Sequence, residues 1–247
     1  MGSQPLSAKN RAAMRVGILQ CGSVAADLSP TFGDYPQMFQ QLLSAVSPTL
    51  EFRRYDLTAG SFPESLTACE GWLFTGSRWS VYDDAAWIRR AGELAARLHA
   101  LGRPTVGICF GHQLIADALG GRVEKAPQGW GVGVHATHIQ IQPEWMIPAH
   151  DKLSLLVSHQ DQVIVPPPDA QWLAGNAFCR YGVMQIADHI LTFQGHPEFS
   201  KDYSRALMKR RRSDIGEQAY RAGLASLALD VDDRIAAQWI ANFLQGV

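Results

Sequence analysis

The sequence of 247 residues contains no long hydrophobic run. A membrane-spanning helix needs about 18 to 20 consecutive apolar residues, and a signal peptide needs an apolar stretch near the N-terminus, where this chain has polar and charged residues. These absences exclude an integral membrane protein of the helical class. We therefore expect no membrane partner, and we expect the protein to work in the cytoplasm.

The sequence also lacks an excess of charge of either sign. Lysine and arginine together number 22, and aspartate and glutamate number 23. Nucleic-acid-binding proteins usually carry a marked basic surface, because contacts to phosphates supply much of their affinity. The charge balance therefore disfavours nucleic acid as a partner.

Cysteine is scarce, and no two cysteines form a CxxC pair. The four cysteines are Cys21, Cys69, Cys109 and Cys179. Their wide spacing argues against a zinc site and against a disulfide framework. His135 and His138 form an HxxH, but three residues apart in a predicted strand they would face opposite sides of it. We expect neither a metal site nor a cofactor, since the fragment Gly131-Val-Gly133 precedes no helical pattern and is too short to indicate a dinucleotide loop.

Short apolar runs alternate with segments of helical period along most of the chain. Strands are predicted at 16–21, 50–55, 72–75, 105–108 and 190–193, and helices at 36–45, 84–100 and from 200 to the C-terminus. This alternation favours an α/β fold with a mostly parallel sheet covered by helices. Glycine and proline turns in 122–191 predict a small antiparallel addition. Residues 1–13 are predicted to be a flexible segment, and 14–247 a single domain.

The segment Gly107-Ile-Cys-Phe-Gly111 places a cysteine between glycines where a buried strand changes into a helix. So sharp a turn brings backbone close to the central residue, which favours neighbours without a Cβ. A thiol ahead of a helix N-terminus is also biased toward thiolate. A free cysteine after an apolar strand is more often a small buried hydrophobic residue. The flanking glycines favour instead a nucleophile at Cys109.

A second segment, Gln194-Gly-His-Pro-Glu198, directly follows the predicted strand at 190–193. Pro197 biases His196 toward an extended backbone, in which side chains two residues apart lie on the same side. Glu198 can therefore orient the imidazole and fix its tautomer. A histidine near a carboxylate is more often a surface pair. Together with Cys109, however, the pattern predicts a nucleophile, a base and an orienting carboxylate.

The segments Gly107-Ile-Cys-Phe-Gly-His-Gln113 and Gly195-His-Pro-Glu198 together resemble the class I (triad) glutamine amidotransferase family. The resemblance covers nearly all of 14–200. It implies an α/β fold with a flavodoxin-like open, mostly parallel sheet and helices on both faces. It also implies that Cys109 is the nucleophile, that His196 is the general base and acid, and that Glu198 orients the histidine, with a small γ-glutamyl compound as substrate.

The same resemblance implies roles for residues outside these three. Leu73-Phe-Thr-Gly-Ser-Arg78 occupies the position of the oxyanion loop, although other members have Gly-Gly-Pro where this chain has Thr-Gly-Ser. The backbone N–H of Gly76 or Ser77 would then hold the oxyanion together with that of Phe110. The residues implied to bind the substrate are Gln113, Ser158, His159, Gln160 and Asp161.

Two uses of this chemistry remain open. The protein is either a free-standing hydrolase or transferase of γ-glutamyl amides and peptides, or a glutaminase subunit that supplies ammonia to a separate synthase. Neither a synthase domain nor a glycine-rich ATP loop is present, which is compatible with both. Some fifty residues of helix beyond Glu198 favour the first use and resemble stand-alone members such as γ-glutamyl peptidases. A non-catalytic pseudoenzyme is disfavoured because Cys109, His196, Glu198 and Gln113 are all present.

Two further features have more than one interpretation. The basic run Lys209-Arg-Arg-Arg212 on a predicted helix is typical of a solvated helix end, with contact to a partner or substrate as the alternative. Trp79 and Tyr82 follow the predicted oxyanion loop, where they either pack a turn or shape the substrate pocket. The amine or acceptor and the oligomeric state stay open.

Overall fold

The computed structural model describes residues 13–247, so the predicted flexible N-terminal segment lies outside it except for its last residue. The strands are β1 (Met14–Gln20), β2 (Leu50–Asp56), β3 (Gly71–Phe74), β4 (Thr105–Ile108), β5 (Arg122–Lys125), β6 (Gly131–Ile139), β7 (Lys152–His159), β8 (Asp161–Val165), β9 (Ala170–Gly175), β10 (Val183–Ile186) and β11 (Ile190–Phe193). The helices are α1 (Ser29–Phe32), α2 (Tyr35–Ser44), α3 (Ala86–Ala100), α4 (Phe110–Ala118), α5 (Lys201–Arg210), α6 (Arg212–Ile215), α7 (Glu217–Ser226) and α8 (Asp233–Gln245).

Nine strands form one sheet in the order β2-β1-β3-β4-β11-β10-β9-β6-β7. The first five run parallel, and the remaining four extend the sheet by antiparallel pairing. β5 and β8 form a separate antiparallel pair. The predicted α/β class, with a mostly parallel sheet and an antiparallel addition, is confirmed. Phe193 pairs with Ile108, so the ends of β4 and β11 lie side by side, and both predicted motifs begin there.

Helices cover the parallel part of the sheet on both faces. One hydrophobic cluster joins α2 and α8 to the sheet through residues such as Phe39 and Trp239, and another joins α3 and α4 to it through Leu98 and Ile115. Because both faces are covered, every residue of β3, β4 and β11 is buried. This explains why these strands are short continuous apolar runs rather than alternating ones.

The start of α3 differs from the prediction. The sequence predicts a helix from Asp84, but the helix begins at Ala86, and its N-cap residue Ala85 forms no side-chain cap. Asp84 instead pairs with the Arg89 side chain, and the Asp83 carboxylate accepts a hydrogen bond of 2.8 Å from the Ser80 N–H. The Asp83 carboxylate therefore stabilises the turn before α3, and Asp84 contacts the first part of the helix through Arg89.

A third hydrophobic cluster joins α5, α6 and α7 to β6 and β7. Gly133 of the 131–133 fragment serves this contact. Gly133 has φ 84°, and a Cβ there would lie 2.6 Å from the carbonyl oxygen of Gly223 on α7. Close approach of a strand to a helix therefore requires this glycine. Between residues 13 and 247, no helix combines the length and the apolar character needed to cross a membrane.

Candidate active site

Cys109 lies between the end of β4 and the start of α4, with φ 51° and ψ −100°. A non-glycine residue in this region is strained, and such strain persists only where the surroundings enforce it. The flanking glycines permit the close backbone approach that holds Cys109 in this conformation. A Cβ on Gly107 would lie 2.7 Å from the Gly111 carbonyl oxygen, and a Cβ on Gly111 would lie 2.6 Å from the Phe74 carbonyl oxygen. The glycines are therefore required by the sharp turn that presents the thiol.

His196 and Glu198 follow β11, next to Cys109. The Nδ1 N–H of His196 donates to Oε1 of Glu198 over 2.8 Å, and both side chains are buried. The backbone N–H of His196 donates to the Leu156 carbonyl oxygen over 2.8 Å. The His196 ring stacks on the Phe199 ring, with 3.8 Å between their centroids. Carboxylate, backbone and aromatic ring together fix the position of the imidazole.

The charge state of His196 is set by its neighbours. Burial lowers the pKa of the imidazole, but the charge of Glu198 and the charge and hydrogen bond of Cys109 raise it more, so its pKa rises from 6.5 to about 10. His196 is therefore positively charged at neutral pH, next to the side chain of Cys109. The three side chains thus form one buried electrostatic unit.

A pH profile should report this coupling. In the wild type, the alkaline limb of kcat/KM is expected near pH 10, where His196 loses its proton. Glu198→Gln removes the charge that favours the imidazolium but leaves the burial that opposes it, so the limb should move to lower pH by at least about one unit while measurable activity remains.

Glu217→Gln is the matched control, because Glu217 is an exposed carboxylate paired with Arg212 and Arg221. An identical alkaline limb in wild type and Glu198→Gln would contradict the assignment of Glu198.

The predicted oxyanion donors lie beside this unit. A Cβ added to Gly76 would lie 2.8 Å from Cε1 of His196 and 3.7 Å from Cβ of Cys109. Within residues 13–247, the backbone N–H groups of Gly76, Ser77 and Phe110 donate to no protein acceptor. The Thr75 hydroxyl fixes the loop, since it donates to the Gly76 carbonyl over 3.1 Å. Free backbone donors held next to a nucleophile are what an oxyanion requires.

Gln113 connects three parts of the site. Its Nε2 donates to the Asp161 carbonyl over 2.8 Å and to Oε1 of Gln194 over 3.0 Å. The Asp161 carboxylate in turn accepts hydrogen bonds from the hydroxyls of Ser80, at 2.5 Å, and Tyr82, at 2.9 Å. Tyr82 therefore supports the predicted substrate loop rather than only packing a turn.

The remaining predicted substrate-binding residues lie on the same wall. The hydroxyl of Ser158 accepts a hydrogen bond from Arg211 over 3.3 Å. Burial lowers the pKa of His159 to about 3, so its ring is neutral, and Nδ1 lies 3.0 Å from the Asp161 carbonyl. The Gln160 carbonyl accepts from the Ala126 N–H over 2.8 Å, which pins the loop.

A cleft of about 1140 Å³ opens over Cys109. Gln113, 158–161, Ser77 and Trp79 line it. The sequence did not indicate a second part of the lining, formed by residues of 24–35, by Trp130 and by residues of 203–214; the members used below are Tyr35, Trp130, Tyr203, Arg210 and Arg211. Their only sequence signal was the basic run at 209–212. In the described part of the chain, no three His, Cys, Asp or Glu residues cluster in a way that could hold a metal ion.

Comparison with known proteins gives one matching family model and several relatives that are similar in sequence. The family model "Glutamine amidotransferase class-I" matches residues 41–211. Two Arabidopsis thaliana proteins are similar: γ-glutamyl peptidase 3 is 30% identical over 87% of this chain and 90% of its own, and γ-glutamyl peptidase 2 is 33% identical over 58% of this chain and 60% of its own. One subunit of a glutamine-hydrolysing GMP synthase from Methanoculleus marisnigri is 34% identical over 51% of this chain and 67% of its own.

Among solved structures, a glutamine amidotransferase from Thermotoga maritima is similar with a TM-score of 0.74. The superposition covers 95% of this chain and 97% of that one, at 15% sequence identity. At this identity the likeness concerns the fold alone. It extends through the antiparallel strands and the C-terminal helices.

Proposed function

The chain belongs to the class I glutamine amidotransferase family, whose members act on C–N bonds, and on this premise we propose that it cleaves γ-glutamyl amides or peptides by hydrolysis or transfer. Cys109 is the nucleophile, His196 the base and acid, and Glu198 the orienting carboxylate. One observation carries the proposal: a strained cysteine between two sterically required glycines lies beside an imidazole whose pKa is about 10.

The reaction proceeds in two steps. The Cys109 thiolate adds to the γ-carbonyl carbon, and the resulting oxyanion accepts hydrogen bonds from the backbone N–H of Phe110 and of Gly76 or Ser77. The imidazolium of His196 protonates the leaving amine as the C–N bond breaks, which leaves a γ-glutamyl thioester on sulfur. Neutral His196 then takes a proton from water, the hydroxide adds to the thioester, and glutamate departs as the thiolate re-forms.

The form of the cleft supports action on substrates larger than glutamine. The helical region that follows Glu198 contributes Tyr203, Arg210 and Arg211 to its wall. Ammonia is a small leaving group and does not require a cleft of this size. The cleft thus favours a free-standing hydrolase or transferase of γ-glutamyl compounds.

A glutaminase subunit that supplies ammonia to a separate synthase is the second candidate. The similarity to a GMP synthase subunit favours it, because that protein's name describes glutamine hydrolysis within a synthase. Such glutaminases are commonly inactive until the partner binds and the oxyanion donors are rearranged. Here the donors of 76–77 and 110 are already free, which supports activity without a partner.

The purified protein is therefore expected to hydrolyse γ-glutamyl dipeptides and γ-glutamyl-p-nitroanilide with a higher kcat/KM than glutamine. Release of glutamate measured for all substrates gives a common scale, and Cys109→Ala protein from the same preparation reports contaminating activity. Cleavage of glutamine alone, and only after a synthase is added, would replace this proposal with the subunit function.

A further inference from the structure

Four cationic side chains line the cleft, and they differ in how their charge is compensated. Arg210 forms an ion pair of 3.0 Å with Asp27, whereas Arg78 and Lys125 are exposed at the rim. Arg211 is only partly exposed and, within residues 13–247, has no carboxylate within 4.0 Å. Arg211 is therefore the sheltered cation of the cleft without a counter-charge.

The contacts of Arg211 hold its guanidinium without neutralising it. Nη1 donates to the Ser158 hydroxyl over 3.3 Å, and the guanidinium lies 5.8 Å from the centre of the Trp130 ring. An arginine beside an aromatic ring keeps N–H donors at the edge of its guanidinium, and this planar group matches the geometry of a carboxylate. Of the guanidinium donors of Arg211, Nη1 is used by Ser158, and no other donor has a partner among the described residues.

The two acidic residues of the cleft do not occupy these donors. The Asp161 carboxylate is bound by Ser80 and Tyr82, and Asp214 accepts only a 3.4 Å hydrogen bond from Ser213 among the described residues. Both carboxylates therefore leave the charge of Arg211 available to an anionic ligand.

Contacts between aromatic rings connect the surroundings of Arg211 to His196. The charge of Arg211 influences the pKa of Tyr35 and of Tyr203, the two tyrosines that pack on Phe199, which in turn stacks on His196. Gln113, the residue of α4 implied to bind the substrate, hydrogen-bonds instead to Asp161 and Gln194. Because His196 protonates the leaving amine, a cation on its side meets that amine's substituents.

We propose that Arg211, with Trp130 and Ser158, forms a subsite for a carboxylate on the leaving amine. The preferred substrates are then γ-glutamyl amino acids and γ-glutamyl peptides with a free C-terminal carboxylate. This inference rests on the proposed function and narrows its substrate class, and it gives Arg211, the third residue of the basic run at 209–212, a role in specificity.

The test compares γ-glutamylalanine with γ-glutamylalanine amide, which differ only in the carboxylate. The wild-type kcat/KM should favour the acid by roughly 10- to 100-fold, the range of a charge-assisted arginine–carboxylate contact. Arg211→Gln should bring this ratio close to one, and Arg211→Lys should give an intermediate ratio because lysine keeps the charge without the bidentate geometry. If the Arg211→Gln protein does not fold, the ratio measured for the Arg211→Lys protein tests the subsite instead.

Lys209→Gln is the matched control, since Lys209 lies two residues before Arg211 at the end of α5, is exposed and does not line the cleft. It should retain the wild-type ratio. A wild-type ratio near one, an unchanged ratio in Arg211→Gln, or an equal loss toward both compounds in that variant would overturn the subsite.

Binding separates this proposal from the proposed function. Calorimetry with Cys109→Ala protein should show the acid binding more tightly than the amide, and Arg211→Gln should remove the difference. If the wild type hydrolyses neither compound, the proposed function is wrong, while the binding difference still decides the subsite. Equal binding of the acid and the amide would overturn the subsite even where hydrolysis occurs.

Discussion

The Cys109→Ser protein is expected to fold like the wild type and to lose on the order of 10⁵-fold in kcat toward γ-glutamyl substrates. Serine is as small as cysteine, so the turn between Gly107 and Gly111 accommodates it. Its hydroxyl, however, is far less acidic than a thiol, and the His196 imidazolium pairs with a thiolate rather than generating an alkoxide. The substitution should therefore abolish catalysis and leave the fold intact.

Iodoacetamide provides an independent measurement of the same assignment. Cys109 is the cysteine that lines the cleft, and burial raises the pKa of the Cys179 thiol to about 12 and raises those of Cys21 and Cys69 as well. Peptide mass spectrometry should therefore find Cys109 alkylated first, in step with loss of activity. Cys69→Ser is the matched control and should remain active. Alkylation of another cysteine ahead of inactivation, or an active Cys109→Ser protein, would remove Cys109 from the mechanism.

The parallel half of the fold could be predicted because its signals are local. β4 is a buried apolar run ended by the glycines around Cys109, and α4 has its own helical period. The antiparallel half carried a weaker signal. β6 pairs with β7, which follows it, but also with β9, which is more distant in sequence, and turn residues alone do not specify such pairings.

The positions of Cys109, His196 and Glu198 were predictable for a similar reason. β4 and β11 are neighbours, so short motifs at their ends must meet. The 2.8 Å contact between Nδ1 of His196 and Oε1 of Glu198 forms across a turn at 197–198, whereas the sequence predicted an extended segment there. The roles inferred for these residues stay predictions until they are tested by substitution.

The part of the cleft that contains Arg211 could not be predicted in this way. Arg211 reaches the cleft because α5 to α7 pack on β6 and β7. Its neighbours in the basic run pair with surface carboxylates, Arg210 with Asp27 and Arg212 with Glu217. Four adjacent basic residues look alike in sequence, and only tertiary packing decides which of them lines the cleft without a counter-charge.

Gly76→Ala is expected to reduce kcat by about 10²- to 10³-fold, the cost associated with a lost oxyanion donor. The added Cβ would lie 2.8 Å from Cε1 of His196, closer than two carbon atoms can approach. The imidazole has little freedom to move, because it is hydrogen-bonded to Glu198 and stacked on Phe199 at 3.8 Å. Either the ring leaves its position beside Cys109, or the loop carrying the 76–77 N–H groups withdraws.

Gly92→Ala is the matched control for this substitution. Gly92 lies within α3, and a Cβ there would meet only the Ala118 Cβ at 3.7 Å and Leu114 Cδ1 at 4.0 Å. Alanine is also the better helix former, so this variant should retain full activity with unchanged or higher thermal stability. Steady-state kinetics, with circular dichroism to verify folding, would measure both variants. If folded Gly76→Ala protein kept the wild-type kcat, the 76–77 loop would have no part in holding the oxyanion, and Phe110 would need another partner.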